Sequence, residues 1–183
     1  MCRWKPCLIG VVALPQNSND RAATVSALAN LTIGGQSVLC ELFQKHLECA
    51  DADIRRLELT YFALAITTAV YLRLGKESGR EQTLDEVAKA VLKGSLPSAR
   101  EQITLGEVVC QYQGRYAEYD QLLLILIDKS KSSTGNPDIT LLLHLFECVT
   151  GQSGRTHMLR IAALAPLIEG YVLDHIEFVK TGH

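Results

Sequence analysis

The chain has 183 residues, 48% of them hydrophobic and 21% charged, with a formal net charge of −2. That length suits one domain with a sizeable core, and the apolar fraction is too high for wholesale disorder. A nearly neutral, slightly acidic chain also lacks the basic footprint of proteins that neutralise phosphate backbones, so nucleic acid is disfavoured as a partner.

The first stretch, "MCRWKPCLIGVVALPQNSND", starts basic at Arg3 and Lys5 and turns apolar from Cys7 to Leu14. A secretory signal also needs a small-residue cleavage site close behind. The nearest, Ala27-Leu28-Ala29, lies beyond Asp20 and Arg21. Residues 1–19 are therefore read as an N-terminal arm or short strand, and residues 20–183 as the helical domain. Asp20 can cap a short helix over "RAATVSALANL", which the adjacent glycines of "TIGG" would end. From Val38 to Ala50 the pattern is amphipathic, with Leu39, Leu42, Phe43 and Ala50 on one face and Glu41, Gln44, Lys45 and Glu48 opposite. Asp51 or Asp53 caps the next helix, which runs to Leu74 and stops at Gly75. That helix, near residues 53–74, is apolar nearly all round and is expected to lie largely buried at the centre. Its uncharged run, "LTYFALAITTAVYL", falls short of the roughly twenty residues a bilayer requires, so no membrane partner is expected.

Thr83 and Glu86, then Ser98 and Glu101, have the spacing of reciprocal capping boxes. The first would open "LDEVAKAVLK", closed by Gly94, and the second a long helix toward Ser130 with a bend at Gly106 or Gly114. Residues 129 to 138, "KSKSSTGNPD", read as the best linker in the chain, with Asn136 and Pro137 starting another helix. Gly151 and Gly154 bracket the last loop, and a final helix covers about Thr156 to Lys180 with a kink or break at Pro166. No strand alternation appears apart from residues 8 to 13. The fold class expected is all-α: a single-domain irregular bundle of six to eight helices.

Four residues invite a metal reading. His46 and Cys49 stand three apart, and His144 and Cys148 four apart, each pair within one helical turn. Two such pairs could form a tetrahedral zinc site if they faced one point. On a helical wheel, however, His46 centres on an apolar face, whereas His144 projects away from one, toward Thr140 and Glu147. The expectation is therefore no metal and no cofactor, with His46 a neutral core histidine. No Glu-x-x-His occurs, which removes the di-iron bundle pattern. "GQSGR" around Ser153 has Arg155 where a nucleophile elbow needs glycine, and it follows a helix rather than a strand. His175, between Asp174 and Glu177 near a helix end, reads as a surface residue.

Residues 83 to 103 resemble a helix-turn-helix in outline, with Ser98, Arg100 and Gln102 placed to meet bases. Its charges cancel, so DNA regulation is kept only as an alternative. Tyr112, Tyr116 and Tyr119 form a single helical stripe beside Arg115, and tyrosine rows suit a wet groove or a ligand or partner surface. The six cysteines are scattered rather than clustered, and four lie in apolar helical patterns, so six free thiols in a reducing cytoplasm are expected. Hydrophobic runs at 121–127, 139–146 and 161–168 cover more than one face of their helices. Surplus apolar surface of that kind points to a homo-oligomer, with another protein as a further possible partner. The functional expectation is a non-catalytic helical protein of interaction or regulation. A small-molecule binder or enzyme with an inter-helix pocket is the alternative, since no base, nucleophile and orienting group stand in a recognisable order.

Overall fold

A computed structural model describes residues 21–46, 52–76, 78–96, 104–129 and 139–181. Among the described residues the fold is all-α: α1 (Arg21–His46), α2 (Ala52–Leu74), α3 (Arg80–Ser95), α4 (Leu105–Lys129), α5 (Ile139–Thr150) and α6 (Met158–Thr181), with a 3-10 turn (Gly154–His157) before the last. Residues 1–19, the Asp20 and Asp51 caps, the Ser98 capping box and the Asn136-Pro137 helix start lie outside the described residues.

The core is arranged around α2, which packs against all five other helices. Every residue from Leu59 to Tyr71 is buried, as expected of a helix apolar on all sides. With its flanks included, α2 is longer than its uncharged run: residues Arg55 to Leu74 are long and apolar enough to cross a membrane, but 72% of that stretch is buried within the bundle. It is a core helix. Its threonines stay satisfied inside the core through the helix itself. Thr60 and Thr67 donate to the carbonyls of Arg56 and Ala63, and Thr67 and Thr68 meet the hydroxyls of Thr32 and Tyr112 at 2.9 Å each. At the C-terminal end Arg80 donates to the carbonyls of Leu72 and Gly75, which the helix leaves without amide donors.

The glycine pair of "TIGG" does not end a helix. α1 runs through Gly34 and Gly35 without interruption, and Gly35 is buried where a side chain would meet the ring and hydroxyl of Tyr171 on α6. Glycine costs roughly 1 kcal/mol in a helix interior, and the close passage of a buried tyrosine offsets that cost.

The helix ends around α3 also differ from expectation. Gly79, with φ 81°, precedes α3, which starts at Arg80, so Thr83 lies inside the helix with its hydroxyl directed at the Gly79 carbonyl. Gly94 sits within α3 and does not close it. Among the described residues, a capping box operates at Thr104 and Glu107. The Thr104 hydroxyl accepts from the Glu107 amide at 3.3 Å, and the Glu107 carboxylate accepts from the Thr104 amide at 2.7 Å. These hydrogen bonds hold the Glu107 carboxyl below its usual range. Among the described residues α4 starts at Leu105 and runs without a break through Gly106 and Gly114. The turn and second helix start of the helix-turn-helix reading fall on residues 97–103, outside the described residues. Thr104→Ala is expected to cost about 1 kcal/mol in urea denaturation, the usual value of an N-cap, with Ser at the same position restoring most of it.

α5 closes on Gly151, whose φ of 67° lets its amide donate back to the Glu147 carbonyl at 2.9 Å. α6 continues through Pro166. The carbonyl deprived of a donor there belongs to Ala162, an exposed residue, so water can serve it. His175 is not on the surface. It shares the inner face of α6 with Tyr171, Val172, Ile176 and Val179, and is 1% exposed.

Candidate functional site

Two features stand out: a polar cluster where α2, α4 and α5 meet, and an apolar face on the outside of α6.

The cluster begins with Glu58 on α2, whose side chain is 13% exposed. The Arg115 guanidinium grips it with two nitrogens at 3.0–3.2 Å, the fork geometry that makes arginine–carboxylate pairs strong. Arg115 also donates to Glu118 Oε2 at 3.0 Å, and the same oxygen lies 3.0 Å from His144 Nε2 on α5. One turn along α5, Cys148 Sγ is 3.8 Å from that same nitrogen. Glu118, His144 and Cys148 thus hold one donor atom each within 4.8 Å of one another. Burial raises the Glu118 carboxyl, but hydrogen bonds from Arg115 and His144 outweigh it and leave it below its usual range. Burial also raises the Cys148 thiol, against the opposing pull of Arg115. The bond from Glu58 holds the Arg115 guanidinium further up still.

The tyrosine stripe supports this cluster from within. Tyr112 and Tyr119 are 6% and 0% exposed, so they do not line a wet groove; only Tyr116 is half-buried, donating to Asp120 at 2.8 Å. The stripe is the seam by which α4 packs on α2: Tyr119 stands edge-on to Phe62 at 5.3 Å, and the Tyr112 ring lies 6.2 Å from Tyr61. Tyr119 also stands edge-on to the His144 ring at 5.3 Å. The physical reason is that α4 packs on the central helix α2 along this face, which leaves the stripe facing inward.

Of the four metal candidates, only His144 and Cys148 have described side chains, and they are neighbours as the i, i+4 spacing requires; the side chains of His46 and Cys49 lie outside the described residues. The third group near that pair, Glu118, comes from a helix that no sequence spacing links to it. Cys40, Cys110 and Cys148 are free thiols, and Cys110 is exposed rather than buried as its apolar surroundings suggested. Two of the surface clefts are lined by described residues. One of about 240 Å³ is lined by Glu58, Tyr61, Gln111, Gly114, Arg115 and Glu118, and lies beside the cluster. The other, about 350 Å³, is lined by Gln36, Ser37, Cys40, Gln44, Arg55 and Arg56.

The second feature is the outer face of α6. At 100° per residue, Leu159, Ala163, Pro166, Gly170 and Leu173 share one stripe, opposite the buried Ile161, Leu164, Ile168 and Val172. Leu159 is 90% exposed and Leu173 41%, and no charge interrupts the stripe between them. Met158, 46% exposed, extends the apolar surface at its start. The run at 161–168 hinted at this face, being apolar beyond what one buried side needs. No family model, curated protein or solved structure matches the chain.

Proposed function

We propose that the protein is a non-catalytic helical module of interaction or regulation, and that its first partner is a second copy of itself, met through the outer face of α6. The observation carrying this reading is the uncharged stripe from Leu159 to Leu173, exposed on a helix whose other side is fully engaged in the core. Burying an exposed leucine is worth roughly 1.5–3 kcal/mol, and a two-fold contact counts each twice. The stripe is also complementary to itself. If two copies of α6 cross antiparallel at Pro166, Leu159 of one faces Leu173 of the other, because both lie seven residues from the crossing. The reading includes a reducing, cytoplasmic setting, in keeping with free thiols at Cys40, Cys110 and Cys148.

A second reading, a small-molecule binder, draws support from the 350 Å³ cleft, whose Arg55 and Arg56 would suit an anionic ligand. Self-association has the stronger physical footing, since it uses the exposed aliphatic surface that the cleft leaves unexplained. Light scattering across a dilution series tests it. The expected mass is twice the 20.1 kDa of the chain; a single 20.1 kDa species at every concentration would retire the idea.

A further inference from the structure

We propose that Glu118, His144 and Cys148 form a partly exposed binding site for a borderline-soft divalent ion of the zinc class, with the fourth position open to water or an incoming ligand. The geometry first excludes the competing chemistry. In a nucleophile–base–acid relay, the thiol and the carboxylate engage opposite nitrogens of the imidazole. Here both engage Nε2, Glu118 at 3.0 Å and Cys148 at 3.8 Å, so the three groups converge on a point.

Convergence is what a metal requires. Ligand bonds of about 2.0–2.3 Å at tetrahedral angles put neighbouring donor atoms about 3.3–3.6 Å apart. The distances here bracket that range, and the third, between Glu118 and Cys148, is within 4.8 Å. Side-chain movements of up to about 1 Å, mainly between Glu118 and Cys148, would complete three corners. Two of these corners are fixed by α5 itself, because residues four apart share one helix face. Tyr119 further restrains the His144 ring, packing edge-on against it at 5.3 Å. The donor set, one carboxylate, one imidazole and one thiolate, suits zinc better than magnesium or calcium, which favour all-oxygen sites. Its two negative charges balance a divalent ion.

Arg115 is the natural competitor, since it already donates to Glu118 Oε2. It need not be lost when the ion enters: its fork on Glu58 stays in place, and only the single bond to Glu118 gives way. On binding, the Cys148 thiol releases its proton to solvent, and the His144 proton that Nε2 donates to Glu118 moves through solvent to Nδ1, which frees the Nε2 lone pair for the ion. Side-chain exposures of 46% for Glu118 and 32% for His144 provide the entry path and the open fourth position.

Cobalt(II) is the probe, used on the full reduced chain after metal stripping. The expected result is a thiolate-to-cobalt charge-transfer absorption that saturates at one equivalent and is bleached by zinc. Cys148→Ser, close in shape, should abolish it while circular dichroism stays unchanged. Glu118→Gln, nearly the same shape at an exposed side chain, should weaken cobalt binding at least about tenfold while circular dichroism stays unchanged. Cys110→Ser should leave it intact. Absence of the absorption in the wild type, or its persistence in Cys148→Ser, would overturn the proposal. So would an unchanged affinity in Glu118→Gln.

Discussion

Between pH 6.5 and pH 4 the protein is expected to lose about 3 kcal/mol of stability through His175 alone. The ring is 1% exposed, and burial lowers its pKa to about 4, against a hydrogen bond to the Tyr171 carbonyl that pulls the other way. Since a carbonyl only accepts, Nδ1 carries the proton, and Nε2 faces the core with no partner among the described residues. A proton taken up there would place a charge inside the bundle. The unfolded chain binds that proton as pH falls below 6.5, while the folded chain resists until about 4. Unfolding is therefore favoured across this window, and the loss levels off below it. Against a typical domain stability of about 5–15 kcal/mol, this is a large share. Glu107 and Glu118, whose carboxyls sit below their usual range, add acid sensitivity at lower pH, and Asp174, raised by burial, works in the opposite sense. Urea denaturation at intervals across the window isolates the histidine. His175→Leu should flatten the dependence above the carboxylate range, and a slope equal to that of the wild type would refute the assignment.

Gly35→Ala is the second large effect, and its sign is diagnostic. Helix propensity alone forecasts a gain of up to about 1 kcal/mol for glycine to alanine in a helix interior. The new methyl, however, would land on the buried end of Tyr171, where ring carbons and hydroxyl all stand in its way. Overpacking of this kind costs typically 1–3 kcal/mol, so a net loss of about 2 kcal/mol is expected. Gly94→Ala supplies the contrast. Gly94 lies inside α3, exposed, with nothing within 4 Å of an added methyl. That substitution should stabilise by roughly 0.5–1 kcal/mol. Denaturation midpoints moving in the same direction for both variants would contradict the role given to the α1–α6 contact.

The helical class and the central place of α2 were legible because composition and periodicity report burial directly. A helix apolar on every side has nowhere to go but the middle. What failed was the local punctuation. Gly34 and Gly35 look like a stop signal, yet tertiary packing against Tyr171 outweighs their intrinsic preference. Thr83 and Glu86 have capping-box spacing, but the chain already enters helix at Arg80, so the box falls one turn too late. Thr104 and Glu107 carry the same signature and use it. His175 was misplaced because its acidic neighbours suggested solvent, whereas the repeat Tyr171, Val172, His175, Ile176 and Val179 is an inward face. The candidate cluster was half legible: i, i+4 spacing brings His144 to Cys148, but nothing in the chain announces that Glu118, or Arg115 anchored on Glu58, will meet them. Contacts between helices depend on packing, and packing is not written in any short spacing.

Sedimentation equilibrium of Leu159→Glu/Leu173→Glu beside the wild type tests the central claim most directly. In the antiparallel crossing at Pro166 the two new carboxylates face each other twice across the two-fold axis, and two leucine–leucine contacts are lost. Both positions are exposed, so the fold should keep its helicity. The expected result is a variant at 20.1 kDa next to a wild type of twice that mass. A variant that sediments with the wild type, its assembly undisturbed, would show that the outer face of α6 is not where two copies meet.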